Sequence, residues 1–317
     1  MRTLITILIG LISVFANFTN AQIDYDNLYR TDNSSSIYLP LGKISFADSV
    51  VDYKIGKPAP YKRYRDIKQC LDEPNYISYS LPTYLSLGCR GSLTVVFKNN
   101  GFMNLPGYDL YIFEVGPSKE AAKIEISENG LDWVFAGNIS GGKSAIELNE
   151  QNINPENVFY YLRITDLNEV CNSKTAGADI DAIGAINSVL KLTINTDVLF
   201  DVDDFILKET ADQILDTLAK KIVQVKKATI LVEGHTDDDG ENDYNIILSE
   251  NRCKSVIEKL KPLLNVESQY DFEIYPYGED KPKFLNNSPE NKQRNRRVEI
   301  TVLPPKDYYN SLMKKEN

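Results

Sequence analysis

The hydrophobic periodicity of the chain changes near Lys191, and this change constrains the fold more than any other sequence feature. Before it, apolar residues occur in short runs rich in β-branched and aromatic side chains, separated by turn residues such as "NNG", "ENG" and "SGG". The runs are "SLTVVFK", "YDLYIFEVG", "AKIEISENG", "DWVFAGN" and "FYYLRITDL". Because no long amphipathic helix precedes residue 190, the pattern predicts an all-β antiparallel sandwich over residues 37–188.

After Lys191, strand-like and helix-like segments alternate. "LKETADQILDTLAKKIVQV" has apolar residues at helical spacing, and "YNIILSENRCKSVIEKLKPLL" follows as a second predicted helix. The strand-like segments are "LKLTINTDVLF", "KATILVEG", "YDFEIYPYG" and "RRVEITVLP". This order predicts a second domain over residues 191–304, an α/β domain of the βαβαββ type.

The two ends of the chain are predicted to lie outside these domains. Arg2, the apolar run "LITILIGLISVFA" and the small residues of "TNA" predict an export signal over residues 1–21. The run is shorter than the roughly 18–20 apolar residues that span a bilayer, which favours cleavage over a membrane anchor. Residues 22–36 are predicted as a flexible arm and residues 305–317 as a tail. The exported product is expected in the periplasm or at the outer membrane.

The charge of the chain argues against one class of partner. With 35 basic and 45 acidic residues, the formal net charge is -10. Nucleic-acid binding requires a clustered basic surface, so the composition predicts no nucleic-acid partner.

Four cysteines remain to be placed in an exported protein, where disulfides can form. Because no CxxC pair occurs, zinc ribbons and redox motifs are not indicated. Cys89 and Cys171 flank predicted core strands, and we expect them to pair and to leave Cys70 free, although the sequence leaves the other pairings among these three open. Cys253 lies on the second predicted helix, where we expect a small buried side chain.

The same helix has one face of particular interest. Its residues at i, i+3, i+4 and i+7 are Asn245, Leu248, Ser249 and Arg252. The buried stripe of the helix is expected from Ile247, Val256, Leu260 and Leu264. The preceding strand delivers Asp237 to the start of this helix, so Asp237 and Arg252 are predicted to face one cleft. They could form an ion pair, or a pocket for a ligand that carries both an ammonium and a carboxylate, and spacing alone leaves both open.

The stretch "GHTDDDGENDYNIILSENRCKSV" resembles the signature of the OmpA-like peptidoglycan-binding domain. The matching residues are Thr236, Asp237, Gly240, Asn245, Leu248, Ser249, Arg252 and Val256. Cys253 departs from the usual alanine. "VLFDVDDFIL" is similar to the opening strand of that family and "NKQRNRRVEI" to its final strand, so three motifs occur in the family's order over residues 191–304.

The resemblance implies a non-catalytic site for the peptide stem of peptidoglycan, chiefly its diaminopimelate. Asp237 would hold the amino group of diaminopimelate and Arg252 its carboxylate. Asn245 and Thr236 would add hydrogen bonds near the same ligand, and Leu248 belongs to the same predicted site.

The last predicted strand adds Arg296 and Arg297 to the candidate site. Because neighbouring residues of a strand point to opposite faces, only one of them faces the cleft, and the other is expected to pair with an acidic neighbour. The sequence does not choose between them.

His235 is the single histidine of the chain and bears on whether the protein is an enzyme. No G-x-S-x-G elbow or other activated nucleophile accompanies it, so we predict a structural histidine and no catalytic residues. One histidine with a loop of aspartates also falls short of a transition-metal site.

The first half of the chain contains the segments "LPLGKISFADSVVDYKIGKPAP", "LSLGCRGSLTVVF", "GYDLYIFEVG", "ISENGLDWVFAG" and "GADIDAIGAI". With these segments, residues 37–186 resemble an exported bacterial β-sandwich similar to carbohydrate-binding jelly rolls. "GADIDAIGAI" suggests a last strand with Asp179 and Asp181 on one face and Ile180 and Ala182 on the other. Together with Asp109, Glu114 or Asp166, the two aspartates are candidate calcium ligands, and the alternative is a loop stabilised by hydrogen bonds between aspartates and the backbone. No other cofactor is expected, and most aromatic residues are predicted to be core.

These observations predict a non-catalytic envelope protein that binds peptidoglycan through its C-terminal domain and displays or anchors the sandwich. A glycan or an envelope protein is a further candidate partner of the sandwich. The alternative is a surface protein that binds or processes carbohydrate in the sandwich, with Asp109 and Glu114 as the paired carboxylates. An outer-membrane barrel over residues 22–185 is disfavoured, because the strands are short and rich in turns.

Overall fold

The computed structural model describes residues 25–31, 35–116, 120–140, 144–169, 171–264 and 268–313. These residues cluster into two compact units. The first unit holds the described residues up to Ser188 together with those from Asp307 onward, and the second unit is Val189–Lys306. The predicted export signal lies outside the described residues. Within the part of the chain that the structure describes, no helix combines the length and apolar character needed to cross a bilayer.

The first unit is built from antiparallel sheets. Its strands are β1 (Leu28–Arg30), β2 (Ser36–Tyr38), β3 (Ser49–Lys54), β4 (Leu85–Ser86), β5 (Ser92–Val96), β6 (Gly101–Phe102), β7 (Leu110–Glu114), β8 (Ala122–Ser127), β9 (Val134–Ile139), β10 (Ala145–Ile146), β11 (Tyr161–Asp166) and β12 (Asp179–Ala185). Short 3₁₀ helices lie at Tyr25–Asn27, Gly42–Ser45, Lys62–Tyr64, Ile67–Cys70 and Leu148–Gln151. The prediction of antiparallel β-structure is confirmed, while the jelly-roll connectivity stays a prediction.

Two of these sheets share one hydrophobic core. One has the order β10-β7-β12-β4 and the other the order β3-β5-β11-β8-β9. Alternate residues of the strands point into a common cluster, as Ile124 and Ile126 do from β8 and Ile112 from β7. This is the two-residue period that the short apolar runs predicted.

The disulfide expected from the sequence joins Cys89 to Cys171 across 82 residues of chain. Cys70 is free and buried, and so is Cys253 in the second unit. All three cysteine expectations are confirmed.

The predicted flexible arm and the predicted tail both contain regular structure among their described residues. β1 pairs with β2, and Tyr29 of β1 is buried with its ring edge-on to Phe46 at 4.7 Å. Lys306–Met313 forms a helix with Tyr309 buried. The described parts of the arm and the tail contain regular structure because each carries a buried tyrosine, which a polar average over the segment conceals.

The second unit has a mixed sheet in the order β15-β14-β16-β13. Its elements are β13 (Ser188–Asn195), α1 (Thr196–Leu199), α2 (Thr210–Ile222), β14 (Lys227–His235), α3 (Asn242–Leu260), a 3₁₀ helix (Lys261–Leu263), β15 (Gln269–Gly278), α4 (Pro289–Asn295) and β16 (Arg297–Leu303). The next element along the chain is α5 (Lys306–Met313), whose residues from Asp307 onward belong to the first unit. β14 runs parallel to β15 and antiparallel to β16. The predicted βαβαββ order is present, with the short helices α1 and α4 in addition.

The central position of β14 determines where the predicted site lies. Its residues Ile230 and Val232 are fully buried, so the strand is fixed between β15 and β16. β14 ends at His235, and the next residues lead directly into α3. The end of this strand, the start of α3 and the start of β16 therefore surround the candidate site.

Candidate functional site

Thr236 and Asp237 leave the end of β14 in a tightly held loop. The backbone N–H of Thr236 donates to the Gly278 carbonyl at 2.8 Å, and its hydroxyl donates to the carbonyl of Asp237 at 2.8 Å. Asp237 is only 5% exposed. Gly240 turns the chain into α3 with φ of 99°, a left-handed conformation that favours glycine. Thr236, Asp237 and Gly240 of the motif thus each have a different local role in this loop.

Asn245, in the first turn of α3, holds this loop in place by hydrogen bonds. Its side-chain amide donates to Glu279 Oε2 at 2.7 Å and to the Asp239 carbonyl at 3.1 Å, with a longer contact of 3.4 Å to the Asp237 carbonyl. Asn245 is buried. Its amide hydrogens are therefore engaged in holding the protein's own loop.

The predicted face of α3 is present in the structure. Asn245, Leu248, Ser249 and Arg252 are all buried, as are Val256 and Leu260. The prediction for Ile247 is wrong, because its side chain is 57% exposed. A step of two residues rotates a helix by about 200°, so Ile247 points away from the face that Asn245 and Ser249 share.

Arg252 is buried without an acidic partner. Its side chain is 4% exposed, Nε donates to the Asp204 carbonyl at 2.9 Å, and Nη2 lies 3.5 Å from the Asp201 carbonyl. The guanidinium carbon lies 5.4 Å from the centre of the Phe200 ring. Burial lowers the pKa of Arg252, against the nearby charges of Asp203 and Asp197. Among the residues that the structure describes, no carboxylate forms an ion pair with this guanidinium.

Asp237 pairs with Arg296, and the ion pair between Asp237 and Arg252, one of the two alternatives that spacing left open, is not formed. Arg296 Nη1 donates to Asp237 Oδ2 at 2.6 Å. The same guanidinium donates to both carboxylate oxygens of Asp197, from Nε at 3.0 Å and from Nη2 at 2.8 Å. Its hydrogen bonds with Arg296 lower the pKa of Asp197. The result is a chain of three charges that runs from Asp197 through Arg296 to Asp237.

Arg297 serves a different cluster. Its Nε donates to Glu299 at 2.7 Å, and its two other nitrogens donate to the carbonyls of Asn295 and Lys281 at 3.2 and 3.3 Å. The expectation that one arginine lies at the cleft while its neighbour pairs with an acidic residue thus corresponds to Arg296 and Arg297 respectively. Arg296 also has an acidic partner beyond the cleft, which the sequence did not suggest.

Asp197 is the residue of this site that sequence reasoning missed. It lies in the first turn of α1, immediately before the "VLFD" segment that carried the family resemblance. Two adjacent arginines beside a single predicted carboxylate require further acidic partners, because buried charges are usually paired. This excess of positive charge could have predicted an additional acidic residue such as Asp197.

Comparison with known proteins finds a family match within the second unit. Residues 199–296 match the sequence profile of the OmpA family. The chain is 33% identical over 125 residues to the peptidoglycan-associated lipoprotein of Pseudomonas putida, which covers 39% of this chain and 74% of that protein. The chain belongs to the OmpA family.

Two further matches concern the same OmpA-family segment. The chain is 36% identical over 115 residues to outer membrane protein A of Bordetella avium, over 36% of this chain and 57% of that protein. The structure of the cell wall anchor of the T6SS from Pseudomonas aeruginosa is 29% identical, with 38% of this chain and 85% of that one covered and a TM-score of 0.31. The chain thus spans little more than half of the Bordetella protein, and the family match does not include residues 1–198.

The acidic loop of the OmpA-family domain is partly neutralised. Lys292 of α4 contacts Asp238 and Asp239 at 2.7 Å each. These hydrogen bonds raise the pKa of Lys292. Of the aspartates in "TDDDGE", Asp237 alone is buried, which distinguishes it from its exposed neighbours.

His235 lies beside this site but is enclosed. It is 3% exposed, its ring stacks on Tyr277 with centroids 5.4 Å apart, and neither ring nitrogen has a hydrogen-bond partner among the described residues. Burial, together with the charge of Arg297, lowers the pKa of His235 to about 3. A neutral ring stacked on tyrosine agrees with the structural role predicted for it.

The carboxylates proposed for calcium in the first unit have separate partners. Asp179 accepts a hydrogen bond from the Ser86 hydroxyl at 2.5 Å, whereas Asp181 accepts backbone N–H groups of Asn75 and Tyr76 at 3.1 Å each. Over the described residues, no three His, Cys, Asp or Glu side chains form a group that could hold a metal ion. Calcium in this unit therefore stays a prediction.

The strand that carries these aspartates departs from simple alternation. A bulge between Ile180 and Ala182 shifts the register of β12 against β7. Ile180 joins the main core whereas Ala182 packs in a second cluster with Phe113 and Phe46. The prediction that Ile180 and Ala182 share one face is therefore wrong, because the extra residue of the bulge changes the phase of the strand.

The other acidic candidates of the first unit are buried too. Asp109 is fully buried and accepts hydrogen bonds from the N–H groups of Leu105 and Leu148 and from the Asn187 amide. Asp166 accepts three backbone N–H groups, from residues 90, 168 and 178. These bonds correspond to the alternative in which aspartates stabilise the loops. Asp109 is also enclosed, which argues against its pairing with Glu114 as a catalytic carboxylate.

Proposed function

We propose that the OmpA-family domain of this protein binds peptidoglycan without covalent chemistry and holds the first unit at the cell wall. The observation that carries the proposal is the buried guanidinium of Arg252, whose partners are the carbonyls of Asp201 and Asp204. These two carbonyl contacts engage two of the five N–H groups of the guanidinium and supply no directly paired carboxylate. A ligand carboxylate would supply a counterion and form a charge-assisted hydrogen bond.

Asp237 offers the complementary group. One carboxylate oxygen is engaged by Arg296 at 2.6 Å, and the other accepts a backbone N–H from Asp239 at 3.3 Å. The second oxygen can accept a stronger bond from a ligand ammonium. The charge of Asp197 raises the pKa of Arg252 and that of Arg296 lowers it, which supports a site in which Arg252 and the partners of Asp237 act on the same ligand.

A ligand that carries both an ammonium and a carboxylate on one short chain matches this pair of groups. The diaminopimelate of the peptidoglycan stem has these groups. The similarity to the peptidoglycan-associated lipoprotein of Pseudomonas putida supports this choice of ligand. Thr236 and Asn245 would mainly hold the loop in place, since their hydrogen bonds go to backbone carbonyls and Glu279. Arg296 would orient Asp237, while Leu248 and Arg297 would support the site from within the domain.

In this proposal the first unit is a jelly-roll-like sandwich that the second unit retains in the envelope. The predicted export signal and the names of the relatives support a location at the peptidoglycan or the outer membrane. The protein would act as a binding module, with no reaction catalysed at the site.

The test is retention of the full chain on purified sacculi. We expect Arg252→Gln and Asp237→Asn to lower the affinity at least about tenfold, because each removes one charged partner of the ligand. Lys254→Gln is the matched control, since Lys254 lies on the same helix and pairs with Glu250 on the surface. Circular dichroism would establish that the variants keep their helices.

A second arm identifies the ligand group. Sacculi whose stems carry lysine lack the carboxylate that Arg252 would hold, so wild-type protein should bind them about tenfold less tightly. Equal retention of wild type, Arg252→Gln and Asp237→Asn would exclude this site. Equal binding to both kinds of sacculi would exclude diaminopimelate as the group recognised.

A further inference from the structure

The first unit carries a concentrated group of basic residues on its surface. Between Lys54 and Cys70 the sequence has six basic residues and one acidic residue, although the whole chain has a formal net charge of -10. Of the six basic residues, Arg65 is partly covered and the others are exposed. The average composition of the chain therefore conceals a local positive surface.

Backbone hydrogen bonds bring two further basic residues to this segment. The N–H of Lys57 donates to the carbonyl of Cys89 at 2.8 Å, which places Lys57 beside the next residue, Arg90. The N–H of Tyr61 donates to the carbonyl of Lys174 at 2.8 Å. Arg90 and Lys174 are both exposed, and the disulfide of the first unit joins the segments that carry them. The basic residues are thus held together by backbone bonds and a covalent cross-link.

The basic surface is defined by four residues, Lys57, Lys62, Arg90 and Lys174. Over the residues that the structure describes, none of these four side chains forms an ion pair. The one acidic residue of the segment, Asp66, accepts the backbone N–H of Lys68 at 3.1 Å and caps a 3₁₀ helix. Four unpaired cations grouped on an acidic protein are complementary to an anionic partner outside the chain.

Apolar side chains are exposed on the same segment. Ile55, Tyr61 and Ile67 are 42%, 56% and 40% exposed. A soluble polyanion would neutralise the lysines and leave the isoleucines in water. A bilayer that contains anionic lipids offers phosphate charge to the basic residues and an acyl boundary to the apolar ones. The combination of unpaired cations and exposed apolar side chains therefore favours a membrane surface.

We propose that the basic surface docks the first unit on a membrane surface that carries anionic phospholipids. The four basic side chains would contact the lipid phosphates, and the ring of Tyr61 would enter the boundary between headgroups and acyl chains. Such contact is peripheral and is weakened by salt, because exposed charges are screened. The proposal concerns the first unit alone and is independent of peptidoglycan binding by the second.

The experiment is sedimentation of residues 22–317 with lipid vesicles at neutral pH and low ionic strength. The predicted export signal is left out because its apolar run would itself enter a bilayer. We expect binding to vesicles made of equal parts of phosphatidylcholine and phosphatidylglycerol. Binding to phosphatidylcholine alone should be at least about tenfold weaker, and high salt should reduce the binding to anionic vesicles by a similar factor.

The double variant Lys57→Gln with Lys62→Gln removes two charges of the basic surface and should weaken binding to anionic vesicles at least about tenfold. Lys220→Gln with Lys221→Gln, in the last turn of α2, is the matched control. It changes the net charge equally and should leave the affinity within about twofold of the wild type, because these lysines lie in the other unit. Tyr61→Ser keeps every charge and should weaken binding at least about threefold, since it removes an apolar contact.

Several results would overturn the proposal. These are an absence of binding to anionic vesicles, equal binding to neutral ones, and an equal loss in the two double variants. Unchanged affinity in Tyr61→Ser, or tighter binding of a DNA duplex than of anionic vesicles, would assign the surface to a soluble polyanion in place of a bilayer. Circular dichroism would establish that each variant keeps its fold.

Discussion

The two units bury carboxylates in opposite ways. In the first unit, Asp109 accepts hydrogen bonds from backbone N–H groups and from an amide, and burial raises its pKa to about 8. In the second unit, burial alone would raise the pKa of Glu299, but the charge of Lys191 and the hydrogen bond from Arg297 bring it to about 2. Neutral donors leave a buried acid able to take up a proton, whereas cations fix its charge.

This difference has a functional side. The charges of Asp197 and Glu299 in the second unit are fixed at neutral pH because both carboxylates have arginine partners and lowered pKa values. A site that recognises a charged ligand benefits from such permanence. Burial raises the pKa of Asp109 to about 8 and that of Asp181 to about 6 in the first unit, so the stability of this unit should respond to pH near neutrality.

The largest expected effect comes from removal of a cation in the second unit. Arg297→Met would leave the buried carboxylate of Glu299 without its guanidinium, and we expect a loss of about 3 kcal/mol in the free energy of unfolding. Urea denaturation followed by helical circular dichroism measures it, because α2 and α3 lie in the second unit.

Two matched variants sharpen this prediction. Addition of Glu299→Leu to Arg297→Met should restore at least half of the lost stability, since no unpaired acid remains. Lys254→Met breaks an exposed pair with Glu250 and should cost less than about 1 kcal/mol. A single variant as stable as the wild type would mean that Glu299, which also pairs with Lys191, does not depend on the guanidinium, and the prediction would fail.

The second prediction concerns the pH response of the first unit. A carboxyl whose pKa is raised on folding stabilises the fold fully below its unfolded pKa, and that contribution is lost as the pH rises through the folded pKa. For Asp109 the window runs from about pH 4 to about pH 8. We expect the unit to lose at least about 2 kcal/mol across it. The fluorescence of Trp133, the single tryptophan of the chain, follows this unit, where its ring stacks on Arg163 at 3.7 Å.

Asp109→Asn tests the assignment, because asparagine does not titrate. The variant should start less stable at acid pH, since an amide N–H₂ would face the N–H of Leu148, and its stability should change less with pH. Glu156→Gln, on the surface, should keep the wild-type slope. Equal slopes in wild type and Asp109→Asn would show that the proton taken up on folding resides elsewhere.

The sequence predicted the second unit more completely than the first. Periodicity identified α2 and α3, and the motif placed Asp237 and Arg252 at one strand end and one helix face. The sequence could not assign the partner of Asp237, because the residues of this network are far apart along the chain. Arg296 lies 59 residues from Asp237 and 99 residues from Asp197. Such a contact depends on how β13, β14 and β16 assemble.

The first unit was predicted as antiparallel strands with the Cys89–Cys171 pair, and both are present. The sequence did not reveal the bulge in β12, because an extra residue in a strand leaves the composition unchanged. It also did not reveal a cavity of about 350 Å³ in this unit, whose described walls come from β1, β7, β12 and the segment before β4. A pocket built from four distant segments has no local pattern.

The smallest expected effect arises from His235. Its titration should make the second unit less stable as the pH falls, the opposite of the direction expected for Asp109 in the first unit. Its folded pKa of about 3 lies below the ordinary 6.5, because burial and the charges of Arg297, Lys281 and Lys191 outweigh that of Glu299. The stability it contributes is complete above pH 6.5 and is lost as the pH falls towards 3, since the unfolded chain takes up the proton first. At about pH 5.5 the loss should be about 1 kcal/mol. His235→Phe keeps a ring against Tyr277 but cannot titrate, so urea denaturation followed by helical circular dichroism should give a shallower decline with acid than in the wild type. Parallel declines would assign the acid sensitivity of this unit to its ion pairs and leave His235 without a part in it.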